Sequence, residues 1–174
     1  MKRLIVLAGL TMLMTGCKKK LTQFYIDYNS TVIVQSAVGQ AVPFNIYTPE
    51  METNSEAEFE SNNTRKDKIE PIFLDQLKMT ITSPQGETFS FLNSVEIFIS
   101  SPNNAEEKIA FKENIPSNIG SELACDLVSV DLQKFVKDDT FRVRVRTITD
   151  EVIPQDVEVN LYTNFFVDAK LLRK

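Results

Sequence analysis

The sequence predicts an all-β fold, an antiparallel β-sandwich of immunoglobulin-like type with seven to nine strands. Three observations carry this. Apolar and polar residues alternate with period two through most of the chain beyond residue 22, as in Val95, Ile97 and Ile99 against Glu96 and Phe98. Turn signals part these runs at short intervals: Ser83-Pro84-Gln85-Gly86, Ser101-Pro102-Asn103-Asn104, and Asn114 to Gly120 with Pro116. No stretch carries a convincing amphipathic helical period, and there are no long internal repeats.

In chain order, Phe24, Ile26 and Tyr28 alternate with Tyr25 and Asp27 and mark a first strand. Thr31 to Gln35 marks a second. Val42 to Tyr47 marks a third, with Phe44 and Ile46 on one face and Gly39 breaking it from the second. Residues 49–68 are polar and acidic, rich in Asn, Ser and Thr, and are expected to form a loop or extended edge. An extended backbone there would put Glu56, Glu58 and Glu60 on one side, as in part of a calcium site, although no D-x-D-x-D-G loop is present. From Leu74 the alternation is regular: Leu77, Met79 and Ile81 share a face. Phe89 and Phe91 resume it, then Val95 to Ile99, then Ile109 and Phe111. Glu122 to Val128 reads as a strand with Leu123, Cys125 and Leu127 on its apolar side. Val130 to Asp138 has Leu132, Phe135 and Val136 at helical spacing, which predicts one short helical turn crossing between sheets.

Phe141-Arg142-Val143-Arg144-Val145-Arg146 is the clearest strand. Its apolar and guanidinium faces fix the register, because a slip of one residue would bury every arginine. Val157, Val159, Leu161, Phe165 and Val167 form the apolar face of the last run. The two runs are expected to pair as a hairpin around Asp150 to Pro154, Val143 facing Leu161 and Arg146 facing Glu158. Val143→Ala or Leu161→Ala should then cost about 1–4 kcal/mol. Arg146→Ala should cost well under about 1 kcal/mol if its pair is solvated.

Composition narrows function. The 174 residues include 12 Phe, 4 Tyr, no Trp and no His. The lack of His removes His-based triads, general bases and metal sites. Acids outnumber bases, 24 to 19, which argues against nucleic acid as a partner. The carboxylate neighbours Glu106-Glu107, Asp138-Asp139 and Asp150-Glu151 fall in expected turns. A glycosidase needs two carboxyls facing each other across roughly 5–9.5 Å of cleft, so no catalytic residue, metal or cofactor is assigned. The candidate binding residues are the arginine row Arg142, Arg144 and Arg146, an anion site or a solvated face paired to acids. To these are added the outward aromatics Phe98, Tyr162 and Phe166, which on a sandwich face stack against sugars.

The amino-terminal stretch sets location. Lys2 and Arg3 precede an apolar run from Leu4 to Met14, too short to span a bilayer, and Met14-Thr15-Gly16-Cys17 follows. This resembles the lipobox of bacterial lipoproteins. The resemblance implies cleavage after Gly16, acylation of Cys17 and a membrane anchor. Residues 1–16 are then the signal peptide, 17–22 a lipidated tether and 23–174 one sandwich domain. The five residues Lys18 to Thr22 reach at most about 17 Å, so the domain should sit close to the membrane. With Cys17 acylated, Cys125 is left as an unpaired, structural thiol. Leu77 to Pro84, Phe89 to Ser100 and Phe165 to Asp168 resemble envelope lipoproteins of Bacteroidota type, and Lys18, where an Asp would resemble an inner-membrane retention signal, implies an outer-membrane location, periplasmic or surface-exposed. The expected function is a non-enzymatic binding or structural accessory module with an envelope protein as partner. The alternative is a carbohydrate-binding module on the cell surface, with a glycan as partner.

Overall fold

The computed structural model describes residues 23–36, 42–149 and 151–170. Its strands are β1 (Gln23–Val34), β2 (Phe44–Tyr47), β3 (Met51–Glu52), β4 (Ile69–Ser83), β5 (Leu92–Ser101), β6 (Asn104–Lys112), β7 (Glu122–Ala124), β8 (Asp126–Leu127), β9 (Thr140–Thr149) and β10 (Val157–Ala169). All pairings are antiparallel, and they build two sheets. One has the order β1-β10-β4-β7. The other has the order β2-β9-β5-β6-β8, with β3 also on β9. The all-β sandwich expected from the sequence is therefore what forms. Among the described residues, eight strands have three or more residues, within the expected range, and two two-residue strands are added to them.

The two sheets bury their apolar faces against each other, as period-two alternation requires. Phe141, Val143 and Val145 of β9 oppose Val159, Leu161 and Phe165 of β10, and all six are essentially inaccessible. Tyr28, Phe141 and Phe165 pack edge to face, with ring centroids 5.0–6.1 Å apart, and tie the sheets together. The Tyr28 hydroxyl donates to the Thr53 carbonyl at 2.8 Å. Burial, reinforced by Glu58 and Asp27, holds this phenol above its usual range. Among the described residues no buried side-chain polar atom lacks a partner.

The expected β9–β10 hairpin does not form. β10 lies between β1 and β4 in the opposite sheet, while β9 pairs with β2, β3 and β5. Residues 151–156 lead into β10 with Ile153 buried among them. Alternation names the face of a strand that turns inward, and two strands facing each other across a core alternate just as two paired neighbours do. Arg146 accordingly faces Glu96 and not Glu158. The order also departs from the immunoglobulin arrangement, where the last strand belongs to the sheet facing the first. Here first and last strands are neighbours.

Four further differences have local causes. The two strands expected before Gln35 are one, because Ser30 is buried and keeps the phase from Phe24 to Val34. The 49–68 segment is not a continuous loop. It holds β3, helix α1 (Ser55–Ser61) and a 3₁₀ turn at Lys66–Lys68. Phe59 is α1's only large apolar residue, so no period was visible, yet it is fully buried against Phe24. Asn63, left-handed at φ 56°, follows the helix end. A register shift between β5 and β6 sends Phe111 outward beneath Lys108 while Ile109 stays in the core.

The strand expected over 122–128 splits at Cys125. β7 pairs with β4 and β8 with β6, so the chain changes sheets there and Leu127 ends up exposed. Helix α2 (Gln133–Val136) is the expected turn, with Leu132, Phe135 and Val136 buried. Cys125 is a free cysteine packed on the core, and burial pushes its thiol up to about 12. Alkylation by iodoacetamide at neutral pH should be slow in the native protein and fast after unfolding, because both access and thiolate are limited. Equal rates in the two states would mean that Cys125 is not packed as described.

Candidate functional site

The sequence-derived binding residues divide between the two outer faces. Phe98, Arg142, Arg144 and Arg146 stand on the six-stranded sheet, and Tyr162 and Phe166 on the four-stranded one. They are not one site.

On the six-stranded face every arginine is matched to an acid. Arg144 donates from Nε and Nη2 to both Glu106 oxygens at 2.6 Å, and from Nη1 to Asn45 Oδ1 at 2.6 Å. Its guanidinium lies 4.1 Å from the centroid of the Phe98 ring. Arg146 meets Glu96 at 3.0 Å, and Lys108 meets the same carboxylate at 2.7 Å. Arg142 stands 3.7 Å from Glu50. The hydrogen bond from Arg144 holds the Glu106 carboxyl below its usual range, and that from Lys108 does the same for Glu96. This face is the acid-paired alternative and not an open anion site. Phe98 is covered by Arg144 and cannot stack on a ligand.

A stability ordering follows. The Arg144 side chain is 14% exposed, whereas those of Arg142 and Arg146 are 47% and 48% exposed. Arg144→Ala should cost about 1–3 kcal/mol through lost charge-assisted hydrogen bonds. Arg142→Ala and Arg146→Ala should each cost under about 1 kcal/mol. Urea melts of the three variants check this, and equal losses would contradict the geometry.

Of the candidate acids among the described residues, Glu106, Glu107, Asp138 and Asp139 are likewise engaged, and Glu151 stands exposed. Asp138 accepts from Ser101 Oγ at 2.6 Å and Asn104 Nδ2 at 2.9 Å, tying the β5–β6 turn to the end of α2. Glu107 pairs with Lys134 at 2.7 Å. Glu56 of the proposed calcium trio sits 3.5 Å from Lys66, and the helix separates it from Glu58. Among the described residues no group of three or more acids or cysteines could hold a metal ion. Asp150 and Cys17 lie outside the described residues.

The four-stranded face is different. Three strands lie side by side, and β10, in the middle, turns every second residue outward. Register aligns these into rows. Thr31, Asn160 and Thr80 form one row, and Asn29, Tyr162 and Lys78 the next. Asp27, Asn164 and Gln76 follow, then Tyr25, Phe166 and Phe73. The middle of the face is a trough of about 500 Å³ around Tyr162. At its end, Tyr25 and Phe166 meet edge to face at 5.5 Å, with Tyr25 47% and Phe73 39% exposed. Tyr162 and Phe166 were legible from alternation. Phe73 was not, because a bulge at Asp75 flips the phase of β4: Gln76 pairs with Asn164 but Leu74 with Phe165. Asn29, Gln76 and Asn160 gave no signal, since a lone amide on a strand's polar face is ordinary.

No family model matches the chain, and no curated protein matches it. Among solved structures, Desmodium yellow mottle tymovirus aligns at 12% identity over 100% of this chain and 99% of that chain, with a TM-score of 0.26. Turnip yellow mosaic virus aligns at 13% over 87% and 96%, TM-score 0.28. The empty head of turnip yellow mosaic virus aligns at 12% over 99% and 93%, TM-score 0.24. Overlap at this level carries no argument about function.

Proposed function

We propose that this protein is a non-enzymatic binding module of the cell envelope, held at the outer membrane by lipid on Cys17, that meets its partner with the outer face of the four-stranded sheet. The observation that carries the binding face is the contrast between the two sheets. One outer face has its arginines neutralised and Phe98 covered, and its exposed aromatic among the described residues, Tyr47, stands apart on the edge strand β2. The other leaves Tyr25 and Phe73 open beside a polar trough. Exposed aromatics gathered in one place mark interaction surfaces. The anchor is supported by Met14-Thr15-Gly16-Cys17 behind a basic and apolar lead. Among the described residues no helix is long and apolar enough to cross a membrane. The non-enzymatic reading is supported by the absence of His and by candidate acids bound up in ion pairs and turn contacts.

Site-directed photo-crosslinking in living cells tests the face. A diazirine side chain inserts into protein and glycan alike. Placed at Phe73 or Tyr25, it should give a discrete envelope adduct; placed at Arg142 or Arg146, it should not. Adducts from the arginine face alone, or from neither face, would overturn the reading. The anchor has its own test: wild type should incorporate labelled palmitate and Cys17→Ser should not.

A further inference from the structure

We infer that the Tyr162 trough is a binding site for an uncharged oligosaccharide, an inference that rests on the four-stranded face being the binding surface. Four observations converge. First, among the described residues Tyr162 is the only aromatic lining the trough, and it stands on the central strand, where a ring offers a flat apolar plate to the C–H face of a sugar. Second, the amides of Asn29, Gln76 and Asn160 surround it, and among the described residues none of the three has a partner within the protein. Each amide offers a donor and an acceptor, which suits the paired donor–acceptor character of sugar hydroxyls. Third, among the described residues the lining contains no aliphatic side chain, whereas the centre of a protein–protein interface is rich in apolar contact. Fourth, the charge is wrong for an anion. Lys78 is held by Glu122 at 3.3 Å, and Glu158 and Asp27 stand on the same face. Nucleic acids, sulfated glycans and uronate-rich chains are therefore disfavoured.

The face also sets the length of the ligand. Phe166 lies four residues from Tyr162 along β10, roughly 14 Å away at the usual rise of a strand. One ring cannot cover both positions, and a chain of several sugars can. The aromatic row of Tyr25, Phe166 and Phe73 is then the second stacking position of an extended site.

The test uses the full lipidated chain in a zwitterionic detergent, which carries no sugar. The probes are neutral hexose and N-acetylhexosamine oligomers of two to six units, titrated by calorimetry, with a sulfated oligomer as the charged control. Saturable binding is expected for at least one neutral series, tightening about tenfold or more from dimer to hexamer. Tyr162→Ala and Asn160→Ala should each weaken it by about tenfold or more, with unchanged circular dichroism. Phe166→Ala should weaken the hexamer and leave the dimer unaffected. The proposal is overturned if no neutral oligomer saturates by about 10 mM, if both trough variants bind like wild type, or if the sulfated oligomer binds best. Photo-crosslinking from Phe73 to a protein, with no glycan binding, would sink the sugar inference and leave the binding face standing.

Discussion

Phe141→Ala should lower the unfolding free energy by about 3–5 kcal/mol, the largest single loss expected in this protein. The ring is fully buried and projects from β9 into the space between the sheets. It meets Tyr28 at 5.0 Å and Phe165 at 6.1 Å, both edge to face, and both of those rings come from the opposite sheet. Truncation removes the transfer free energy of the ring and leaves a void that flanking strands cannot close, because each is held by its own ladder. It also unmoors Tyr28, whose hydroxyl bond to Thr53 depends on the ring staying in place. Phe141→Leu keeps much of the buried area and should lose less. Urea melts followed by tyrosine fluorescence and by circular dichroism measure both. A loss under about 1 kcal/mol for Phe141→Ala would mean the sheets are not joined through this cluster.

Phe59→Ala should follow closely, at about 3 kcal/mol, and its effect should be uneven along the chain. Helix α1 has seven residues and cannot stand alone in water. Phe59 is its fully buried apolar anchor, against Phe24 at the start of β1. Without the ring, the helix should detach before the sandwich melts. Hydrogen exchange should therefore show amides 58–64 losing protection while β4, β9 and β10 keep theirs. Uniform loss across all strands would instead place Phe59 in the cooperative core.

Much of the architecture was legible because a half-buried strand writes its own period. β5, β9 and β10 were each read with the correct inward face, Val95, Val143 and Val159 among their buried residues. What alternation cannot carry is the partner of a strand, and the misplaced C-terminal hairpin came from that gap. Three devices hid the rest. The bulge at Asp75 breaks the phase of β4 and concealed Ile69 to Phe73 as strand. A short helix with one anchor has no period to read, which concealed α1. The sheet change at Cys125 turns one apparent strand into two. The candidate site shared this fate. Tyr162 and Phe166 were found as outward aromatics, but grouped with Phe98 and the arginines because the sequence does not say which sheet a strand joins. The amides of Asn29 and Gln76 acquire meaning only once β1 and β4 are placed on either side of β10.

The binding face exists only if β10 lies between β1 and β4, and paired cysteines test that most directly. Asp27 and Asn164 are directly opposed neighbours on the outer face. Directly opposed residues of antiparallel strands have Cα atoms about 4.5–5.5 Å apart, within the span a disulfide needs. Arg146 and Glu158, which a β9–β10 hairpin would oppose, stand on opposite sides of the sandwich, with sheets about 10 Å apart between them. Asp27→Cys with Asn164→Cys should oxidise readily to an intramolecular disulfide in the native protein, and Arg146→Cys with Glu158→Cys should not. The reverse outcome would put β10 against β9, dissolve the Tyr162 trough and contradict the account.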